Sequence, residues 1–259
     1  FAMQAVLVSP RFLFRIETDG RPDDPMAERP VTDYELASRL SYFLWSSMPD
    51  DELFLLAERG SLRDADVLKR QVTRMLKDSK SRAMVDNFAG QWLNLAMLDE
   101  IVPDPNVFPE FDIDLRYDMK RESLLLFEAI MKEDRSLLDF LDADFTFMNA
   151  RLAKHYGRNG VTGEEFQKVP LDADRRAGIL THASILTLTS NPERTSPVKR
   201  GKWIMENILG KSPPPPPPGV PELEETAKNN PNFTLREQLK LHRADPGCAS
   251  CHKTMDVLG

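Results

Sequence analysis

Cysteine is scarce in this sequence, with only two residues among 259. A fold held together by disulfides needs more thiols, and a structural zinc site needs about four ligands. The two cysteines therefore exclude a disulfide framework, and a zinc site would need ligands supplied by a partner.

The sequence also lacks the patterns that mark several common activities. It contains no G-x-S-x-G elbow, no P-loop and no H-E-x-x-H pattern, so a hydrolase has no positive support. The net charge of −7 argues against a nucleic-acid partner, which would call for a basic surface. No run approaches the roughly 20 apolar residues of a membrane span, so we predict no transmembrane segment in this part of the chain.

What the sequence does contain is material for a globular, mainly helical protein. Hydrophobic residues make up 41% and charged residues 29%. Apolar residues mostly recur at intervals of three and four, the spacing of a helix face. Thr32 with Glu35 forms a capping box, and Ser196 followed by Pro197 is a second helix start. The periodicity predicts helices over residues 36–45, 62–76, 83–98, 114–132, 175–189, 198–209 and 234–242.

Proline-rich segments divide these predicted helices. The unbroken proline run 213–218 predicts a stiff, extended spacer. We predict a mainly α fold with two helical units, residues 1–160 and residues 161–259, joined by proline-rich connectors. The second unit would end in the start of a small c-type haem module.

The prediction of haem rests on the C-A-S-C-H string at residues 248–252. The pattern C-x-x-C-H is the attachment signature of c-type haem. The thiols of Cys248 and Cys251 would each form a thioether with a haem vinyl group, and His252 would ligate the iron. A dithiol redox pair, half of a zinc site and a chance occurrence are the alternatives. The two cysteines of the chain both lie within this string, which favours haem.

The ligand on the other side of the iron is not evident from the sequence. Met255 follows His252 by three residues on the same turn, so it does not easily reach the opposite face. His242 would need a tight turn to fold over the haem. His155 and His182 are expected to be structural, hydrogen-bonded histidines. A five-coordinate iron would instead bind peroxide or another small molecule.

A basic cluster lies near the helix start at Ser196, in an otherwise acidic chain. It could hold haem propionates or an anionic substrate, or it could be a helix cap with solvated charges. Its members are Arg194, Lys199, Arg200 and Lys202.

Four long strings resemble the planctomycete-type multidomain cytochrome c proteins, in which domains of unknown function occur in a fixed order. They are LASRLSYFLW at 36–45, MNARLAKHYG at 148–157, TSNPERTSPVKRGKW at 189–203, and the segment 248–259 with its haem string. The resemblance implies haem attachment at Cys248, Cys251 and His252. It also implies a large exported parent protein, often with a further cytochrome c module. We therefore expect this chain to be an internal part of such a protein.

The expected function is electron transfer through covalently bound haem c and its iron. Covalent haem attachment normally occurs outside the cytoplasm, which predicts a periplasmic or cell-surface location. The partner would be a redox protein or another cytochrome c module of the same parent chain. Two alternatives remain open: a haem-dependent oxidase or peroxidase, and a helical binding scaffold.

Overall fold

The structure is a computed structural model that describes residues 1–17, 21–24, 26–172, 176–214, 233–234, 237, 240, 252 and 254–259. The chain divides into two compact units, Phe1–Met84 and Val85–Gly259. The predicted mainly α class is confirmed, because helices dominate both units and the described residues contain one sheet of two strands. In the part of the chain that the structure describes, no helix has the length and apolar character needed to cross a membrane.

The first unit is built from short and medium helices. They are α1 Ala2–Leu7, α2 Pro10–Leu13, α3 Asp33–Trp45, α4 Asp51–Glu58, α5 Ala65–Lys77, a 3₁₀ turn Ser79–Ser81 and α6 Arg82–Met84. The capping box predicted at the start of α3 is confirmed. The Glu35 N–H donates to Thr32 Oγ1 at 3.2 Å, and the Thr32 N–H donates to Glu35 Oε2 at 2.7 Å.

The core of the first unit forms where α3, α4 and α5 meet. Ala37, Trp45, Leu53 and Met75 are buried there, and the indole N–H of Trp45 donates to the Met75 carbonyl at 2.9 Å. Apolar residues on the inner faces of α3 and α4 supply this core, as the helix periodicity predicts.

The second unit contains one long helix surrounded by shorter elements. They are a π turn Val85–Ala89, α7 Gly90–Trp92, a 3₁₀ turn Leu95–Asp99, α8 Ile113–Lys132, α9 Asp139–Asp142, β1 Phe145–Met148, α10 Ala150–His155, β2 Gln167–Pro170, a 3₁₀ turn Ile179–Thr181, α11 Ala183–Leu188, α12 Pro197–Trp203 and a π turn Ile204–Ile208.

The helix predicted over residues 83–98 is not continuous. It contains a π turn, and Asn94, at φ +58°, interrupts it before a 3₁₀ turn. Asparagine tolerates this left-handed conformation better than most residues. Earlier in the same stretch, the rings of Phe88 and Trp92 cluster with those of Phe127 and Phe140, with neighbouring centroids 5.2–6.3 Å apart.

The small sheet was not predicted as strand. β1 and β2 pair antiparallel, with Phe145 opposite Pro170 and Met148 opposite Gln167. The inward side chains of β1 pack toward α8, so a stretch of four residues contributes to the same core as the helices. A strand this short carries too little alternation to be recognised beside helical patterns.

The predicted helix over 175–189 is helical only in its second half, because a tight turn precedes it. Gly178 has φ +54°, and a Cβ built there would lie 2.4 Å from the carbonyl carbon and oxygen of Leu141. The left-handed conformation and the close backbone approach both require glycine at this position.

This crowding gives a stability prediction with a matched control. Gly178→Ala should destabilise the protein by about 2–5 kcal/mol, because a left-handed alanine and a backbone clash act together. Gly157 also has a positive φ, +65°, but a Cβ built there would meet nothing within 4 Å. Gly157→Ala should therefore lower the free energy of unfolding by only about 1–2 kcal/mol. Urea unfolding measures both, and equal losses would contradict the proposed clash with Leu141.

Candidate functional site

The predicted haem ligand His252 is helical in the structure, like most of the described residues that follow it. His252 and residues 254–258 are helical, and Met255 is 7% exposed. Cys248 and Cys251, the predicted thioether residues, lie outside the described residues, as does His242. The segment must therefore be described from His252 onward.

The C-terminal segment packs closely against α12. A Cβ built on Gly201 would fall 1.8 Å from the Met255 carbonyl oxygen, and one on Gly259 would fall 1.8 Å from the Pro197 carbonyl oxygen. The two backbones touch at both glycines, because neither has a side chain between them. The contact fixes the helical turn that follows His252.

A carboxylate accompanies His252 one helical turn later. His252 Nδ1 lies 3.0 Å from Asp256 Oδ1, and the two side chains are 14% and 7% exposed. Metal-bound histidines usually donate their second ring N–H to such a partner, which fixes the tautomer and raises the basicity of the ligand. With Nδ1 engaged in this way, Nε2 is the ring nitrogen suited to iron. The donor set fits a haem-binding histidine.

Sequence analysis did not select Asp256 as a functional residue. The i, i+4 spacing from His252 was a usable signal, since residues four apart share a helix face. It becomes informative only once the segment is known to be helical.

A network of polar side chains lies buried in the second unit, centred on Glu122 of α8. Glu122 is fully buried; one carboxylate oxygen accepts from Thr146 Oγ1 at 2.7 Å and the other from the hydroxyl of Tyr156. The Tyr156 oxygen also accepts the Ala183 N–H at 2.7 Å. Arg176 stacks over the Tyr156 ring and lies 3.5 Å from Glu122. The carboxylate therefore links α8, β1, α10 and the residues before α11.

His182 belongs to this network and has the structural role expected of it. Its Nδ1 lies 2.9 Å from Ser123 Oγ, which is itself 2.7 Å from Ser184 Oγ. Its Nε2 is 3.9 Å from Glu122. These residue types also occur in catalytic triads, but a triad serine must reach a substrate, and Ser123 is 0% exposed. The hydrogen bonds among Ser123, His182 and Ser184 instead stabilise the core of the second unit.

A cleft of about 410 Å³ lies beside the network. Tyr156 and His155 form part of its wall, and Arg194 and Arg200 line it from the loop and helix that follow α11. Of the predicted basic cluster, the structure thus brings Arg194 and Arg200 together at this cleft. Lys199 donates to the Ser190 carbonyl at 3.4 Å, and Lys202 pairs with Glu206 at 3.8 Å.

Metal ligands other than haem ligands would need a cluster of suitable side chains. Within the described ranges, no group of three or more histidine, cysteine, aspartate or glutamate side chains is placed to hold a metal ion.

Two family models match the chain, one after the other. Residues 31–157 match PSD4, a protein of unknown function (DUF1592). Residues 176–259 match PSCyt3, a protein of unknown function (DUF1588). Both are of the planctomycete cytochrome type, which confirms the resemblance at the level of the domains.

The two matched ranges include most of the structural features described above. The DUF1592 match includes the capping box of α3 and the Glu122 and Tyr156 side chains, and the DUF1588 match includes α11, α12 and His252. The division predicted between residues 160 and 161 stays a prediction. Searches of curated proteins and of solved structures gave no match to the chain.

The buried histidine predicts a loss of stability in mild acid. Burial lowers the pKa of His182 below its ordinary value of 6.5, although nearby Glu122 opposes the shift. The imidazole of His182 therefore binds a proton more readily in the unfolded chain than in the folded protein. The contribution of neutral His182 to the free energy of unfolding is complete above pH 6.5 and declines as the pH falls toward the lower pKa of the folded state. Urea unfolding between pH 7.5 and pH 5.5 should show this decline, with a smaller slope in His182→Asn. Identical slopes in both proteins would contradict the assignment.

Proposed function

We propose that the chain binds haem c covalently through Cys248 and Cys251, with His252 as the iron ligand, and transfers electrons within a larger exported redox protein. The observation that carries the proposal is the C-x-x-C-H string together with the hydrogen bond between His252 and Asp256. When bound, haem would supply one-electron chemistry at its iron.

The residues of the chain itself would position the ligand. Asp256 would hold the Nδ1 proton of His252, and the contact of Met255 with Gly201 would hold the segment on α12. A ligand held by both a hydrogen bond and backbone packing keeps one orientation, which limits reorganisation when an electron arrives.

The location and the partners form part of the same proposal. Because covalent haem attachment normally takes place outside the cytoplasm, the parent protein would act in the periplasm or at the cell surface. The electrons would come from or go to a redox protein, or another cytochrome c module of the same parent chain.

One observation favours a second candidate function, a haem-dependent oxidase or peroxidase. A carboxylate hydrogen-bonded to the proximal histidine raises the basicity of that ligand, which stabilises the more oxidised states of iron. Absorption spectra separate the two functions: a six-coordinate haem that does not react with peroxide favours electron transfer, and a five-coordinate, peroxide-reactive haem favours catalysis.

Attachment is tested by exporting the chain in a host with cytochrome c maturation machinery. Intact mass and a pyridine haemochrome spectrum should show one covalent haem. The double variant Cys248→Ala/Cys251→Ala should lose it while keeping the helical circular dichroism of the parent. If the unsubstituted chain folds but carries no covalent haem, the proposal is overturned. The zinc content and thiol reactivity of that chain would then be measured.

Asp256 gives a second, independent prediction. In the haem-loaded protein, Asp256→Asn should raise the reduction potential, because a less basic His252 stabilises ferric iron less. A rise on the order of 50 mV corresponds to roughly a tenfold change in relative stability for one electron. Glu206→Gln removes a carboxylate charge that pairs with Lys202 in the same unit and is the matched control. An equal shift in both variants would mean that Asp256 acts only through its charge.

A further inference from the structure

The cleft beside the buried network has the dimensions of a small-molecule site. It measures about 410 Å³, within the range of roughly 300–1,000 Å³ common for ligand pockets. Its walls come from the connector before α8, from α8, α10 and α11, and from the start of α12. All of these elements belong to the second unit, so the cleft is formed within one compact body.

Most of the cleft wall is apolar and partly aromatic. Phe108 and Phe111 contribute rings from the connector, and Met119 and Leu186 contribute aliphatic surface from the two helices. Flat apolar ligands pack favourably against such rings. The wall therefore suits the body of an aromatic molecule better than a strongly hydrated one.

One end of the cleft is basic. Arg200 donates from Nη2 to Thr195 Oγ1 at 2.7 Å, while its Nε is buried and has no hydrogen-bond partner among the described residues. No ion pair joins Arg200 to a carboxylate in the described part of the chain. The Arg200 side chain lines the cleft without a carboxylate partner among the described residues, so its guanidinium group can pair with a bound anion.

The loop that carries the second arginine is closed on itself. Ser190 and Thr195 form an isolated antiparallel bridge, and the Asn191 N–H donates to the Arg194 carbonyl at 2.8 Å. These bonds restrict the backbone that presents Arg194 and Thr195 to the cleft. A restrained loop lowers the entropy lost when a ligand is bound.

The other charged groups of the cleft limit the charge of the ligand. Glu110 also lines it, and partial desolvation lowers the pKa of His155, which keeps that ring neutral near pH 7. The charged side chains of the lining are therefore Arg194, Arg200 and the single carboxylate Glu110. This favours a monoanion over a doubly charged phosphate.

Tyr156 adds a fixed polar surface to the wall. Its hydroxyl is held by Glu122 and by the Ala183 N–H, so the ring does not need to reorganise when the cleft is filled. A site that is already formed in the absence of its ligand binds with a smaller entropic penalty.

We propose that this cleft binds a small aromatic carboxylate, with the carboxylate at Arg200 and Arg194 and the ring between Phe108 and Phe111. The site is independent of haem attachment, since none of these residues belongs to the C-x-x-C-H string. Haem propionates are a competing occupant of the same arginines, because Arg200 lies beside Gly201 on the helix that packs against Met255.

The proposal is tested by isothermal titration of the 259-residue chain, in haem-free and haem-loaded forms, with benzoate and 4-hydroxybenzoate. Benzamide serves as the uncharged counterpart and inorganic phosphate as the anion without a ring. We expect saturable binding of the carboxylates, with benzamide and phosphate at least about tenfold weaker, since a charged hydrogen bond contributes roughly 1.5–3 kcal/mol.

Variants assign the binding to the cleft. Arg200→Gln should weaken benzoate binding about tenfold or more, whereas Lys202→Gln, on the same helix but outside the cleft, should leave it unchanged. Arg194→Gln, in the loop, provides a second test if Arg200→Gln does not fold, as judged by circular dichroism.

Four results would overturn the proposal. The first is the absence of saturable binding by either carboxylate. The second is equal binding of benzoate and benzamide. The third is benzoate binding that neither arginine variant weakens. The fourth is binding to the haem-free chain that is abolished by covalent haem, which would assign the arginines to the haem propionates. Failure of haem attachment would show in the mass alone and would leave this titration unaffected.

Discussion

The second unit depends on one buried carboxylate. Glu122 is fully removed from water, and an ionised carboxylate in that position is tolerated only where donors surround it. Thr146, Tyr156 and Arg176 supply them from three other parts of the chain. The position of α8 relative to β1 and α10 is therefore set by charge satisfaction as well as by apolar packing. The cleft takes its shape from the same constraint, since Tyr156 is both a donor to Glu122 and part of the cleft wall.

Local signals predicted much of the fold. Thr32 with Glu35 and Ser196 with Pro197 identified helix starts that the structure shows, because a cap is decided by neighbours in sequence. The long amphipathic pattern of α8 was also predicted within one residue of its observed start. Features decided by distant contacts were missed. β1 exists through pairing with β2, and the turn at Gly178 that precedes α11 requires glycine because Leu141 lies against it.

The candidate sites divide in the same way. His252 was selected as a candidate because the C-x-x-C-H signature has a fixed spacing in sequence, and its role as an iron ligand stays a prediction. Asp256 and the cleft were not found, because a hydrogen bond across a helical turn and a wall drawn from several elements become visible only after folding. Arg194 and Arg200 were noticed as a charge cluster, yet sequence could not separate them from Lys199 and Lys202. Arg194 and Arg200 line the cleft and the two lysines do not, because the loop and α12 each turn only one side toward the cleft.

The contact between Gly201 and Met255 has a consequence for how the position of His252 is specified. The C-x-x-C-H string alone does not determine where His252 lies, because Gly201, about fifty positions earlier, decides whether the segment can lie on α12. That residue has no side chain, so it carries no chemistry of its own. A substitution there would displace His252 without altering any side chain of the C-x-x-C-H string, and its effect would imitate the loss of His252 itself.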